Sequence, residues 1–359
     1  MFKTYEKYII KSFLYKFISL TFVFFALTII LGSLEEISFF KNLNVNFLYP
    51  YFLTLINAPI TLFEIFPFIF LLTTQFFFYD LFKKDELNLL KTNGLKNTSI
   101  LKVIFFLAIL IGIFNIIIFY NFASNLKFYY SNIKNGFSND NKYLAMVTQS
   151  GLWIKDEVDN KKLIINAELI NDNIISKTII NEFDDNFDLI RIIQSEKIDI
   201  KNENWIIYDP VITKNNISDS VDDFITIKTH FNYEKISNIF SNVSTLNIFK
   251  LIDMKKDYER LGYSSDEVYI HLLKLSVTPL LCGILTLLSA IIMFRIKKNS
   301  SIIFYIAIGF LVSVIIYYLM FFFTSLGNNG KIPISVSVFF PISILSIFSI
   351  LGIMNVNEK

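Results

Sequence analysis

Few residues in this sequence are placed to do chemistry, and most of them stand alone. There are two histidines, His230 and His271, and one cysteine, Cys282. A His/Cys metal site therefore lacks donors, and no intrachain disulfide can form. His230 has Ser and Asp residues scattered about it without the spacing of a nucleophile and its base. The acidic pairs Asp184–Asp185 and Asp222–Asp223 fall in turn-like stretches. Solvated turn carboxylates are the ordinary reading there and a glycosidase pair the remote one. Glu64 is the main ionisable residue inside an apolar run, the kind of group an intramembrane enzyme would need. It stands close to one end of its run and reads as interfacial. Gly327-Asn328-Asn329-Gly330-Lys331 falls short of a P-loop, with two residues between the glycines and Ile332 after the lysine. If ATP is used, another subunit must hydrolyse it.

The stretch Asp80-Leu81-Phe82-Lys83-Lys84-Asp85-Glu86-Leu87-Asn88-Leu89-Leu90-Lys91-Thr92-Asn93-Gly94 says more. Leu87, Leu90 and Lys91 share one helical face, and Gly94 is placed as a C-terminal cap. A short amphipathic helix between two apolar runs has two readings. It floats in the interface, or it couples to a groove in a motor domain, with Glu86 as the charged contact.

The surrounding elements are those of a membrane protein. Of 359 residues, 53% are hydrophobic, and the mean hydropathy is +0.52. The net charge of +2 makes no general case for nucleic acid. Six apolar runs stand out: Phe17–Leu34, Ile60–Tyr79, Ile100–Phe119, Val268–Phe294, Ile302–Phe323 and Ile334–Met354. Each has about the 20 residues that cross a ~30 Å hydrocarbon layer. The first follows Lys3, Lys7, Lys11 and Lys16 and reads as an uncleaved helix. Basic residues gather at Lys83, Lys84, Lys91, Lys96 and Lys102, and again at Arg295, Lys297 and Lys298. The opposite side has Glu35, Glu36 and Lys41 in one loop and Lys331 in another. The positive-inside rule then puts both termini in the cytoplasm and the long insert in the periplasm.

That insert, about Asn121 to Ser265, holds 21 of the 31 acidic residues. Its periodicity predicts strands at Tyr143–Thr148, Leu152–Lys155, Leu163–Ile170, Ile174–Glu182, Leu189–Ile200, Trp205–Lys214 and Phe224–Asn232, separated by Asn, Asp and Ser clusters. This suggests a β-sandwich, jelly roll or curved open sheet. Leu246–Leu261, with apolar Leu246, Phe249, Leu251 and Ile252, reads as an amphipathic helix at the membrane surface. The expected fold is an α-helical membrane protein with six transmembrane helices and an inserted periplasmic all-β, jelly-roll-like domain. The expected parts are 1–120 with the coupling segment 80–94, the β domain 121–243, and 244–359.

Four local sequences, in order, resemble the LptF/LptG (YjgP/YjgQ) permease family of lipopolysaccharide export. They are Tyr8-Ile9-Ile10-Lys11-Ser12-Phe13-Leu14; Asp85-Glu86-Leu87 through Leu90-Lys91-Thr92-Asn93-Gly94; Gly151-Leu152-Trp153-Ile154-Lys155-Asp156; and Pro279-Leu280 with Gly330-Lys331-Ile332-Pro333 and Pro341. Gly151–Asp156 and Leu246–Leu261 are more similar to the LptG side.

The resemblance implies a non-catalytic inner-membrane subunit paired with an LptF-like paralogue. It implies an LptB-like ATPase dimer docked on coupling residues Asp85, Glu86, Leu87, Leu90, Lys91 and Gly94. That ATPase would bind the ATP, and the chain itself would need no cofactor. It also implies a single-span LptC-like bridge protein that receives lipopolysaccharide from the β domain. Cargo phosphates would be met by Lys41, Arg260, Lys274 and Lys331, and acyl chains by apolar side chains at ~25 cal/mol per Å² buried. The end of helix one, where the family often carries basic residues, has none here. Other readings of the topology are a lipoprotein-release or mechanotransmitting permease and an intramembrane enzyme.

Overall fold

The computed structural model describes residues 3–41, 43, 45–135, 137, 152–158, 161–171, 173–214, 217–220, 223–233, 235–236, 242–261, 264–294 and 301–357. The chain divides into two compact units, residues 1–130 with 269–359, and residues 131–268.

The first unit is helical. Its long elements are α1 (Thr4–Phe40), α2 (Tyr49–Lys83), α4 (Asn97–Phe114) continuing through a π-helical turn (Asn115–Tyr120) into α5 (Asn121–Asn135), α7 (Asp266–Phe294), α8 (Ile302–Asn328) and α9 (Ile334–Asn357). Among the described residues, six helices are long and apolar enough to cross a membrane, with α4, the π turn and α5 acting as one. The short α3 (Glu86–Thr92) links α2 to α4. Burial divides the spans sharply. The apolar windows of α2 and α7 are 56% and 61% buried, those of α1 and α8 only 11% and 17%. So α2 and α7 form the centre, and α1 and α8 keep most of their surface uncovered.

Between apolar helices in lipid the hydrophobic effect gives little attraction, so close packing and hydrogen bonds hold them. Both are present. A Cβ on Gly112 would lie 2.8 Å from Pro279 Cα, so α4 and α7 touch backbone to backbone. Ser289 Oγ donates to the Leu71 carbonyl at 2.7 Å, and Gln75 Nε2 donates to the Tyr305 carbonyl at 3.1 Å. Phenylalanines fill the rest: Phe17 stacks obliquely on Phe70 at 4.8 Å, Phe13 meets Phe77 edge-on at 5.7 Å, and Phe78 meets Phe294 at 4.9 Å.

The second unit carries one antiparallel sheet that curves as a half-barrel. Its strands are β1 (Leu152–Val158), β2 (Lys161–Asn171), β3 (Ile174–Phe183), β4 (Leu189–Asp199), β5 (Asn204–Tyr208), β6 (Val211–Lys214), β7 (Ile217–Ser220) and β8 (Ile225–Lys228). The path is β1-β2-β3-β4-β5-β8, and β6 and β7 branch from β4. β1 alternates buried and exposed residues without a break, the pattern of a strand with one covered face. Ile165, Ile180, Ile193, Ile198, Trp205 and Ile207 form the core. Trp205 is fully buried and donates through Nε1 to the Phe231 carbonyl at 2.7 Å.

The fold class is thus the expected one, an α-helical membrane protein with an inserted all-β domain. Several local expectations are corrected. Glu35 and Glu36 are not in a loop but on the last turns of α1, where buried Glu36 accepts a hydrogen bond from Tyr130 Oη. The third span does not stop at Phe119; helix continues to Asn135, because the π turn carries the backbone past the apolar run without a cap. Trp205–Lys214 is two strands, broken where Asp209 takes a positive φ of 45° before Pro210. β7 was not anticipated. Tyr143–Thr148 lies outside the described residues. The connector is the helix α6 (Ile248–Leu261). It packs on the sheet domain beside β1, with Tyr258 against the sheet core, while Phe249 and Ile252 stay exposed.

Candidate functional site

The corner between α2 and α4 is built by two backbone devices. Asp85 adopts a left-handed φ of 57°, which turns the chain off the end of α2. Its Oδ1 accepts from Asn88 Nδ2 at 2.8 Å. At the other end Gly94 has φ +82°. Its N–H donates to the Lys91 carbonyl at 2.9 Å, and Leu95 N–H donates to the Leu90 carbonyl at 3.1 Å. This paired closure is a Schellman cap, which needs a residue tolerant of positive φ. Seven residues are too few for a helix to persist alone, so α3 depends on these stops and on packing.

The packing fixes which face α3 shows. Leu87 is buried in the apolar cluster that also holds Leu81, Ile9 and Phe13, and Leu90 packs against its edge. These two leucines thus anchor α3 to its own bundle. Lys91 is exposed, as are Asn88 and Thr92, and Leu89 is 60% exposed. Leu89 is the apolar residue a partner would meet, and face periodicity passed over it because it falls among polar neighbours. Glu86 sits at the boundary, where its Oε2 accepts from Tyr8 Oη on α1. That contact also puts the N-terminal end of α1 on the same side as α3.

A second set of ionisable groups lies within the helical unit. Glu64 lies about midway along α2, which begins at Tyr49, and its side chain is exposed. It is within electrostatic reach of Tyr120, of Lys127 on α5 and of Lys274 on α7. His271 is reached by both lysines, and its Nε2 lies 2.9 Å from Tyr120 Oη. Lys127 was missed from sequence because it stands beyond the apolar run. Of the cargo-binding candidates whose side chains are described, Lys274 joins this group. Lys41 and Lys331 are exposed in turns beyond α1 and α8, without a side-chain hydrogen bond or ion pair among the described residues. Arg260 is in the last turn of α6, and its side chain lies outside the described residues.

Two further sequence candidates serve turns and caps, and Asp222 of the second acidic pair lies outside the described residues. Asp184 Oδ1 accepts from the amides of Asn186 and Asp188 at 2.9 and 2.8 Å, closing the turn between β3 and β4. Gly330 takes φ +66°, and Lys331 N–H donates to the Leu326 carbonyl at 2.9 Å. The Gly327–Lys331 stretch therefore caps the carboxyl end of α8, the wrong helix pole for a phosphate. Among the described residues, no three His, Cys, Asp or Glu groups come together as metal ligands.

Six apolar helices, a sheet domain inserted in the chain and a packed corner helix exposing one leucine define a polytopic membrane protein. The chain belongs to the family described as lipopolysaccharide export system permease LptF/LptG, which matches residues 7–355, nearly the whole length. Members of that family are permease components, not catalysts. A comparison with curated proteins finds no match.

Proposed function

We propose that this inner-membrane subunit draws lipopolysaccharide from the outer leaflet and passes it toward a periplasmic bridge, driven by a separate ATPase that docks on α3. The observation that carries the reading is the corner itself. Leu87 is buried in the bundle while Leu89 is exposed beside Glu86 and Lys91, so the helix is anchored on one side and open on the other. A helix held in this way passes rigid-body motion to the spans without chemistry of its own. The basic residues beside α3 and those at 295–298 support, by the positive-inside rule, a cytoplasmic corner and a periplasmic insert.

The uncovered faces of α1 and α8 leave room for an LptF-like paralogue and for lipid. We read this chain as the LptG-like member of the pair, from Gly151–Asp156 and the α6 segment. Lys274, which with Lys127 acts on His271, is the basic group we assign to cargo phosphate, and Lys41, Arg260 and Lys331 are further candidates near the helix ends. The sheet domain would pass lipid to an LptC-like partner.

Affinity purification in mild detergent tests the reading. A second six-span chain, an ATPase and bound lipopolysaccharide should co-purify. Glu86→Lys or Leu89→Arg should lose the ATPase and keep the paralogue. Full retention of the ATPase by both variants would overturn the docking assignment.

A further inference from the structure

The amino-terminal end of α1 is fastened to the α2–α3 corner at two levels. Tyr8 Oη donates to Glu86 Oε2 on α3, and Lys16 Nζ pairs with Asp80 Oδ2 near the end of α2. Alongside these levels Ile9, Phe13 and Phe17, four residues apart, are buried in the same cluster as Leu87, Leu81 and Phe77. Beyond Phe17 the helix changes character. Ile18, Phe22, Leu27, Ile30 and Leu34 are all exposed. One end of α1 is built into the corner; past it Leu20, Phe24 and Phe25 still pack on the bundle and Ser33, Glu36 and Phe40 are buried, while Ile18, Phe22, Leu27, Ile30 and Leu34 stay uncovered.

We propose that Tyr8 is a positioning residue that makes α1 part of the receiver for the motor's stroke, an inference that rests on the reading of α3 as the docking helix. The hydroxyl holds one oxygen of the Glu86 carboxylate and leaves the other for a cation of the ATPase. A glutamate on a short surface helix otherwise samples several rotamers, and fixing it beforehand lowers the entropy lost on docking. Because interiors are close-packed, a displacement of α3 that keeps both polar bridges must carry the buried strip Ile9–Phe13–Phe17 with it. Motion at the corner thus reaches α1, the span with most uncovered surface, directly and not through α2 alone.

The test uses the complete complex, with its paralogue and ATPase, in proteoliposomes containing lipopolysaccharide. ATP turnover and release of lipopolysaccharide to a soluble acceptor are measured on the same sample. In Tyr8→Phe the ATPase should stay bound and turn over ATP, while lipopolysaccharide released per ATP falls about fivefold, the effect of one hydrogen bond of ordinary net strength. Lys16→Asp should lower the same ratio, and adding Asp80→Lys should restore it. A wild-type ratio in Tyr8→Phe, or no rescue by the exchanged pair, overturns the inference and leaves the docking assignment standing, because ATPase retention reads docking separately. Retention of the ATPase by Glu86→Lys would remove the docking reading and this inference together.

Discussion

Asp156 and His230 meet where the two ends of the sheet path approach each other. The buried aspartate accepts the His230 amide through Oδ2 at 2.8 Å, and its Oδ1 lies 2.9 Å from His230 Nδ1. Asp156 is on β1 and His230 follows β8, the first and last strands of the path. Among the described residues, no ladder joins those strands. One carboxylate therefore spans the seam with a backbone and a side-chain contact, next to the Trp205–Phe231 hydrogen bond.

Asp156→Asn should loosen that seam. The amide keeps the shape but replaces one acceptor oxygen with a donor and removes the charge, a change worth about 2–3 kcal/mol at a buried, charge-assisted site. The chain's two tryptophans, Trp153 and Trp205, are both in this sheet. Their emission therefore follows this unit during denaturant unfolding. The midpoint should fall clearly, and an unchanged midpoint would show that other contacts hold the edges.

Acid should act on the sheet through Glu182. Burial raises its carboxyl, but hydrogen bonds and charge from Lys161 and Arg191 outweigh that and hold it below the usual carboxylate value. A folded pKa below the unfolded one means the contribution is fully present above the ordinary value of about 4.3 and is lost as pH falls through the lower, folded value. Unfolding midpoints read by tryptophan emission should drop through that window in the wild type. They should drop less in Glu182→Gln, and equal slopes would refute the assignment.

Two glycines should fail for different reasons. An alanine Cβ at position 112 would meet the Pro279 backbone, so Gly112→Ala must push α4 from α7 and should cost about 1–3 kcal/mol. At Gly94 nothing lies within 4 Å, and only the positive φ opposes a side chain, at about 1 kcal/mol. Helical ellipticity on heating should show a lower midpoint for Gly112→Ala. Gly94→Ala should leave that midpoint in place and speed hydrogen exchange at residues 86–92 alone.

Glu64→Gln removes an exposed carboxylate whose charge reaches Lys127 and Lys274. Two half-buried lysines then lose a nearby negative charge, which is costly where water is scarce. In lipid-free detergent the variant should melt about 2–4 °C below the wild type. Added lipopolysaccharide should close the gap if the lysines take its phosphates. A gap that lipid does not change would separate these lysines from cargo binding.

The six spans and the strand-rich insert were legible because each rests on a local pattern: a run of apolar residues, or alternation between two faces. α3 was legible from Leu87, Leu90 and Gly94, whose spacing sets a face and a stop. What the sequence hid depends on contacts far along the chain. Glu36 reads as a loop charge until Tyr130 is brought to it. Leu89 is revealed as the exposed leucine only once the bundle has taken Leu87. The ends of helices were also hidden, because Asn and Lys residues that look like linker continue α5 beyond its apolar run.

The π turn at Asn115–Tyr120 also has a geometric consequence. A helix places successive residues about 100° apart, and a π turn amounts to one residue inserted into that sequence. The third span therefore runs in two phases, and everything after Tyr120 points about one residue's rotation away from where an unbroken helix would aim it. Lys127 is in the second phase. Its placement toward Glu64 and His271 is thus encoded seven residues or more upstream, by the count of residues in the turn and not by the lysine itself.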